Sequence, residues 1–403
     1  MVVSICAMDD FGRGISYDLD KICFVPNCMV GDRVSIEIVK RKSKFYEGKV
    51  VSFLEKSPFR EKDLCPYSAL CGGCQISFFN NNMEDDFKKN KFINIMRKFA
   101  KIDVCDVEIE SADRYGYRNK ITLSVSNGVL GLKMINSNDI VPIDRCLIAN
   151  DKINDVISKL SLILKDEVKI FKIVIKVSNK TNEVLISISG DVIDSNKFLD
   201  ICDVLFINGV LVSSKKYITS YILDCKFLVS NHSFFQVNYD ITNRLYSYVC
   251  DSIKKLGSRR VLDLYCGVGS IGITVSKYVD SVYGIEIVDE AINMANMNKE
   301  INKISNISFA SGDVSKLIDD IDQKFDTYIL DPPRSGVDKV VINNILDVKP
   351  QNIIYVSCNP ITLSRDISLL ACDYDVISFK LFNMFPRTYH VECVSLLCLK
   401  ENS

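Results

Sequence analysis

Cys358 ends the apolar run Ile353-Ile354-Tyr355-Val356 and opens a turn, Ser357-Cys358-Asn359-Pro360. A thiol at the carboxyl end of a parallel strand sits where open α/β sheets keep their ligand crevice. Once deprotonated, it can act there as a nucleophile. Glu392, in His390-Val391-Glu392-Cys393, begins a strand that is otherwise apolar from Val394 to Leu397. Such surroundings raise a carboxyl pKa toward the range useful for proton transfer. The expectation is a nucleophile and a base. The bland alternatives are a core cysteine and an edge-strand charge facing water.

Val261-Leu262-Asp263-Leu264-Tyr265-Cys266-Gly267-Val268-Gly269-Ser270-Ile271-Gly272 reads as a strand, a glycine loop and a helix start. Gly267, Gly269 and Gly272 have GxGxxG spacing, which brings a ligand close to the backbone. Glu286 ends the next strand, where an acid accepts hydrogen bonds from ribose hydroxyls. This much suits a dinucleotide as well as S-adenosylmethionine. Two strand ends favour the methyl donor: Ser311-Gly312-Asp313, where an acid meets the adenine amino group, and Asp331-Pro332-Pro333, beside the reactive end. Enzymes that methylate amino nitrogens follow such prolines with a stacking aromatic, whereas Arg334 stands here. A thiol, a carboxylate and a methyl donor are the set needed to methylate carbon 5 of uracil. The thiolate adds at carbon 6, the resulting enolate activates carbon 5, and the base then removes the carbon 5 proton.

With these motifs the chain resembles the RNA uracil-5-methyltransferases of the RumA and TrmA type. The matching residues are Phe234-Phe235-Gln236-Val237-Asn238, the loop from Asp263 to Gly272, Glu286, Asp313, Asp331-Pro332-Pro333-Arg334, Ser357-Cys358-Asn359-Pro360 and His390-Val391-Glu392. The resemblance implies Cys358 as nucleophile and Glu392 as base. It implies methyl-donor contacts from Gln236, Tyr265, Ser270, Glu286, Asp313 and Asp331. The family usually has Phe at the position of Tyr265 and often Asn at that of Ser270.

Cys65-Pro66-Tyr67-Ser68-Ala69-Leu70-Cys71-Gly72-Gly73-Cys74 gathers three thiols within one turn. Four ligands are needed for zinc or for a 4Fe-4S cluster. Spacing leaves the metal open, and leaves the fourth ligand open between Cys105 and Cys146. The resemblance implies a 4Fe-4S cluster held by Cys65, Cys71, Cys74 and Cys146. In this family the cluster accompanies many ribosomal RNA enzymes, so the expected substrate is 23S rRNA. A tRNA substrate, a non-catalytic RNA-binding assembly factor and a nicotinamide-dependent oxidoreductase are the alternatives. A loop uridine is expected, flipped out of its stack to reach Cys358.

Alternating strands and helices from about residue 240 predict a mostly parallel, doubly wound sheet that positions these residues. Its strands are expected at Arg260–Tyr265, Ser281–Ile287, Ile307–Ala310, Thr327–Asp331, Ile353–Ser357, Val376–Leu381 and Val391–Leu397, the last antiparallel. The overall expectation is a multidomain α/β chain. Residues 1–56 are expected as an OB-like barrel resembling the family's RNA-binding TRAM domain, 57–233 as a central α+β domain with the cysteine cluster, and 234–403 as a class I (Rossmann-like) methyltransferase domain. A helix over about 83–100 carries Phe92, Ile95, Met96 and Phe99 at core spacing and is expected to pack on the catalytic domain. Basic residues in 40–49 and 88–101, with Arg114, Arg118 and Lys120, are candidate phosphate contacts.

The bulk composition fits this picture. The 403 residues are 25% charged and 47% hydrophobic with net charge -1, an ordinary globular balance in which any RNA surface is a local patch. Most of the sixteen cysteines lie singly in apolar runs, such as Cys202, Cys250 and Cys398, which argues for a reducing cytoplasm rather than a disulfide framework. No signal peptide or membrane-length apolar run is read, and a monomer is expected.

Overall fold

A computed structural model describes residues 1–401 except 136, 168 and 322. Eight strands form the sheet that positions Cys358 and Glu392. Its order is Ile307–Ser311, Ser281–Glu286, Arg260–Leu264, Thr327–Leu330, Asn352–Ser357, Glu392–Leu399, Tyr374–Phe382 and Glu108–Glu110. The first five run parallel, and Glu392–Leu399 is antiparallel to both of its neighbours. The sheet therefore reverses its winding between Arg260–Leu264 and Thr327–Leu330, which opens a crevice at their carboxyl ends. Asn352–Ser357 is buried at all six positions, as a central strand covered on both faces must be.

The helix expected over 83–100 runs from Asn81 to Ile95, capped by the Asn80 side chain, which accepts from the Met83 amide at 2.8 Å. Phe92, Ile95 and Met96 are buried in the core of the eight-stranded sheet, as their spacing predicts. Phe99 is not; it is 48% exposed. Met96–Ala100 winds as a π-helical turn, and the wider turn rotates Phe99 off the buried face. The chain then adds the strand Glu108–Glu110 to the edge of the same sheet, beside Tyr374–Phe382. Residues 81–110 are thus built onto the catalytic sheet, although they fall within the central segment.

Residues 2–55 form a six-stranded sheet around Val3, Ile5, Cys23, Val25, Val34 and Ile36. The basic run Lys40–Tyr46 joins its two longest strands, Arg33–Arg41 and Phe45–Glu55. A seven-stranded sheet between Lys120 and Leu211 packs its core on the helix Asp151–Ile163. The hairpin Ile218–Ile222 and Cys225–Val229 follows and buries Ile222, Cys225 and Phe227 against the catalytic sheet. No helix among the described residues is long and apolar enough to cross a membrane.

Candidate active site

The turn that carries Cys358 is held from both sides. The Asn359 amide donates to Ser357 Oγ at 3.1 Å, and the Asn359 side chain caps the helix Pro360–Leu370 by accepting from the Ile361 amide at 3.2 Å. Pro360 starts that helix with the φ it needs and with no amide to satisfy. Asn359 Nδ2 also donates to the Arg334 carbonyl at 2.9 Å, and Thr362 Oγ1 donates to it at 3.3 Å. The Asp-Pro-Pro-Arg turn is thereby clasped against the cysteine turn.

Glu392 stands across the sheet from Cys358. Val356 pairs with Val394 and Ser357 with Cys393, so the next register step sets Cys358 opposite Glu392. Glu392 lies on an interior strand and is 6% exposed, so it is no water-facing edge charge. Burial, reinforced by Asp331 and opposed by Arg334, raises its carboxyl to about 8. Burial, then Glu392 and Asp331, raises the Cys358 thiol to about 11, and Arg334 is the cation that opposes this. Arg365, the nearest following cation in sequence, is committed elsewhere. It bonds Asp366 at 2.8 Å and the carbonyls of Ser335 and Val337 at 3.1 and 3.2 Å.

Cys358 and Glu392 line one cavity of about 710 Å³ together with Gln236, Tyr265, Ser270, Glu286, Asp313 and Asp331. That size is within the usual range for a small-molecule site. Each wall has a local cause. Tyr265 leaves its strand with φ 65°, a strained conformation for a non-glycine residue that turns the chain into the glycine loop. Gly267 has φ +55°, and a Cβ there would meet nothing within 4 Å, so its main chain is bare toward the cavity. Gly269 has φ +76°, and a Cβ there would lie 2.6 Å from Phe309. Glu286 accepts from the Gly267 amide at 3.1 Å and the Val288 amide at 3.0 Å. Ser270 Oγ shares a 2.7 Å hydrogen bond with Tyr246. Asp313 accepts from the amide and hydroxyl of Ser315 at 3.0 and 2.8 Å, which lowers its pKa.

Beneath the loop, Asp263 is fully buried. One of its oxygens accepts from the Gly272 amide at 2.9 Å, the other has no partner among the described residues, and burial raises the carboxyl to about 8. Burial raises Asp331 to about 7. A bare glycine turn, a strand-end acid and a large apolar-walled cavity fit an adenosyl ligand, and Gln236, Tyr265, Ser270, Glu286, Asp313 and Asp331 all line that cavity.

Cys65, Cys71, Cys74 and Cys146 line a second cavity of about 390 Å³, which Cys105 does not reach. Among the described residues no group of His, Cys, Asp or Glu side chains is arranged to hold a metal ion. Arg334 and Phe385 line both cavities, and Arg387, Thr388 and His390 line the second. The two sites therefore share a wall.

Several expectations about charge are corrected. Lys88 is fully buried and bonds Glu84 at 3.2 Å, Asn383 at 2.6 Å and the Phe385 carbonyl at 3.1 Å, so it reaches no phosphate. Arg114 is also buried, paired with Asp85 at 2.7 Å. Lys91 bonds the Tyr389 carbonyl at 3.1 Å. Lys88 and Lys91 hold the segment Asn383–Tyr389, which leads directly to Glu392. Sequence reasoning missed that role, and an (i, i+4) Glu–Lys pair carries no signal that it is buried. It also quoted Arg334 and His390 within matched motifs and gave neither a role at the site. Burial, then Arg334, Lys91 and Lys88, lowers His390 to about 4, so its ring is neutral.

Comparison with known proteins agrees with this geometry. The family model described as tRNA (uracil-5-)-methyltransferase matches residues 215–400. An uncharacterised RNA methyltransferase of Clostridium acetobutylicum is 31% identical over 97% of this chain and 95% of that protein. One of Listeria monocytogenes is 32% identical over 97% and 95%. The crystal structure of the Pyrococcus abyssi tRNA (uracil-54, C5)-methyltransferase in complex with S-adenosyl-L-homocysteine superimposes with a TM-score of 0.85 at 26% identity, covering 98% of this chain and 99% of that one. A thiol opposite a buried carboxyl beside an adenosyl cavity, on a chain related end to end to RNA methyltransferases, places the protein in the RNA uracil-5-methyltransferase family as an S-adenosylmethionine-dependent enzyme.

Proposed function

We propose that the enzyme methylates carbon 5 of a uridine in 23S rRNA through a covalent adduct on Cys358. The observation that carries this reading is the convergence of Cys358 and Glu392, from facing strands, on the cavity that holds the donor residues. A flipped uracil enters beside them. The Cys358 sulfur bonds to carbon 6, and the displaced π electrons move onto the ring as an enolate, which makes carbon 5 nucleophilic. Carbon 5 takes the methyl group that bound S-adenosylmethionine would supply, its sulfur–methyl bond breaking to leave S-adenosylhomocysteine. Glu392 as carboxylate then takes the carbon 5 proton. The electrons left behind restore the ring double bond and expel the Cys358 thiolate. Arg334, clasped to the cysteine turn, stabilises the negative charge carried by sulfur before addition and after release.

Cys65, Cys71, Cys74 and Cys146 are proposed to hold a 4Fe-4S cluster. Four thiols lining one cavity support this, since such a cluster takes four cysteine ligands. The chemistry requires no redox step, so the cluster acts in structure or RNA recognition. The N-terminal sheet is proposed as the TRAM barrel, with boundaries at 1–56, 57–233 and 234–403.

One observation favours a tRNA substrate instead: the archaeal enzyme that matches end to end is a tRNA (uracil-54, C5)-methyltransferase. Methyl transfer to separate 23S rRNA and tRNA transcripts, with mapping of 5-methyluridine by mass spectrometry, decides between them. Labelling of rRNA is expected; labelling of tRNA alone overturns the rRNA assignment.

A further inference from the structure

Lys176 belongs to the central sheet, on the strand Ile170–Val177, yet its ammonium reaches the wall of the donor cavity. Its Nζ donates to the main-chain carbonyls of Ser230, Asn231 and Ser233 at 2.9, 2.8 and 3.0 Å. In its ammonium form a lysine has three protons, one for each carbonyl, and burial with Lys120 nearby lowers the pKa of Lys176 to about 7. The residue is 5% exposed, and all three bonds go to main-chain oxygens rather than to a carboxylate. Burying a cation in this way costs desolvation free energy that an apolar side chain on the same strand would avoid.

The carbonyls it binds open the segment Ser230–Gln236, whose residues from His232 to Gln236 line the donor cavity. The central sheet grips the far end too. Asn119 Nδ2 donates to the Gln236 carbonyl at 2.9 Å, and the Asn119 amide donates to the Val237 carbonyl at 3.0 Å. Between these anchors, Phe235 packs against Phe227 and Tyr239 with ring centroids 5.9 and 6.4 Å apart. One wall of the donor cavity is thus suspended at both ends from the neighbouring sheet.

We infer that Lys176 is a positioning residue for the methyl donor: by tying down Ser230–Ser233 it holds Phe235 and Gln236 in place along the donor cavity. The inference rests on reading that cavity as the donor site. Lys176→Met keeps the stem and removes all three donors, which leaves three carbonyls in need of new partners. The expected result is S-adenosylhomocysteine binding weakened about ten-fold or more by calorimetry. RNA affinity stays within about two-fold of the parent, and KM for the donor rises while kcat changes less. Lys176→Gln retains two neutral donors and is expected to fall between parent and Met variant; it decides the matter if the Met variant does not fold.

Donor affinity within about two-fold of the parent in the folded variant overturns the inference. Glu286→Ala runs alongside as the control for the cavity itself. Loss of binding there, with Lys176 variants unaffected, overturns only the role of Lys176. Unchanged binding in both overturns the donor-site reading as well.

Discussion

Glu392→Gln separates the two things the buried carboxyl does. In the folded chain its pKa is about 8 against 4.5 for the free side chain, with burial the leading cause. Between those values the folded protein holds a proton that the unfolded chain has released. Stability therefore falls as pH rises through this window, by about 1.4 kcal/mol per pH unit for this one group. Glutamine does not titrate, so the stability gap between variant and parent widens by roughly 3 to 4 kcal/mol from pH 5 to pH 8, in favour of the variant. Asp263 and Asp331 are present in both proteins and drop out of the difference. Urea denaturation of both proteins at pH 5, 6.5 and 8 measures it. A gap that does not change with pH refutes the buried, proton-holding carboxyl. The same variant lacks the proposed proton acceptor, so mixed with RNA and methyl donor it is expected to accumulate the protein–RNA adduct rather than release product.

Three further outcomes follow from the geometry. Methyl transfer under single turnover rises with pH from about 6 to about 8 as Glu392 becomes a carboxylate, and a profile flat over that range contradicts its role as base. Gly269→Ala forces a side chain into left-handed backbone against Phe309, and is expected to cost roughly 1 to 3 kcal/mol of stability and to weaken S-adenosylhomocysteine binding; an unchanged melt and affinity contradict the tight turn. Lys88→Met removes one of three cations around the buried Glu84 carboxylate, Arg387 and Arg114 remaining at 3.7 and 3.8 Å, and takes a donor from Asn383 Oδ1 and the Phe385 carbonyl; it is expected to cost about 1 to 3 kcal/mol, read by denaturation, and an unchanged stability contradicts the buried network.

Much of the site was legible because its residues lie at strand ends, where sequence order and spatial order agree. The glycine loop, Glu286, Asp313, Asp331 and Cys358 each close a strand of a parallel sheet, and such strands deliver their carboxyl ends to one edge. Glu392 was legible as one charge before an apolar run. The edge strand Glu108–Glu110 was not, because three residues, Glu-Ile-Glu, show no period. Lys176 was hidden in a strand whose other inward residues are apolar, and its partners are carbonyls, which leave no mark on side-chain pattern. Phe99 failed because a π-turn breaks the 3.6-residue spacing on which its core assignment rested.

Covalent capture reads the attack of Cys358 on the uracil ring. Uridine replaced by 5-fluorouridine in the substrate RNA permits attack at carbon 6 and methylation at carbon 5 but gives Glu392 no proton to remove. The account predicts a denaturation-resistant, methylated protein–RNA complex, formed only with the methyl donor, whose peptide mass places the nucleotide on Cys358. Full methyl transfer by Cys358→Ala, or capture on any other residue, contradicts it.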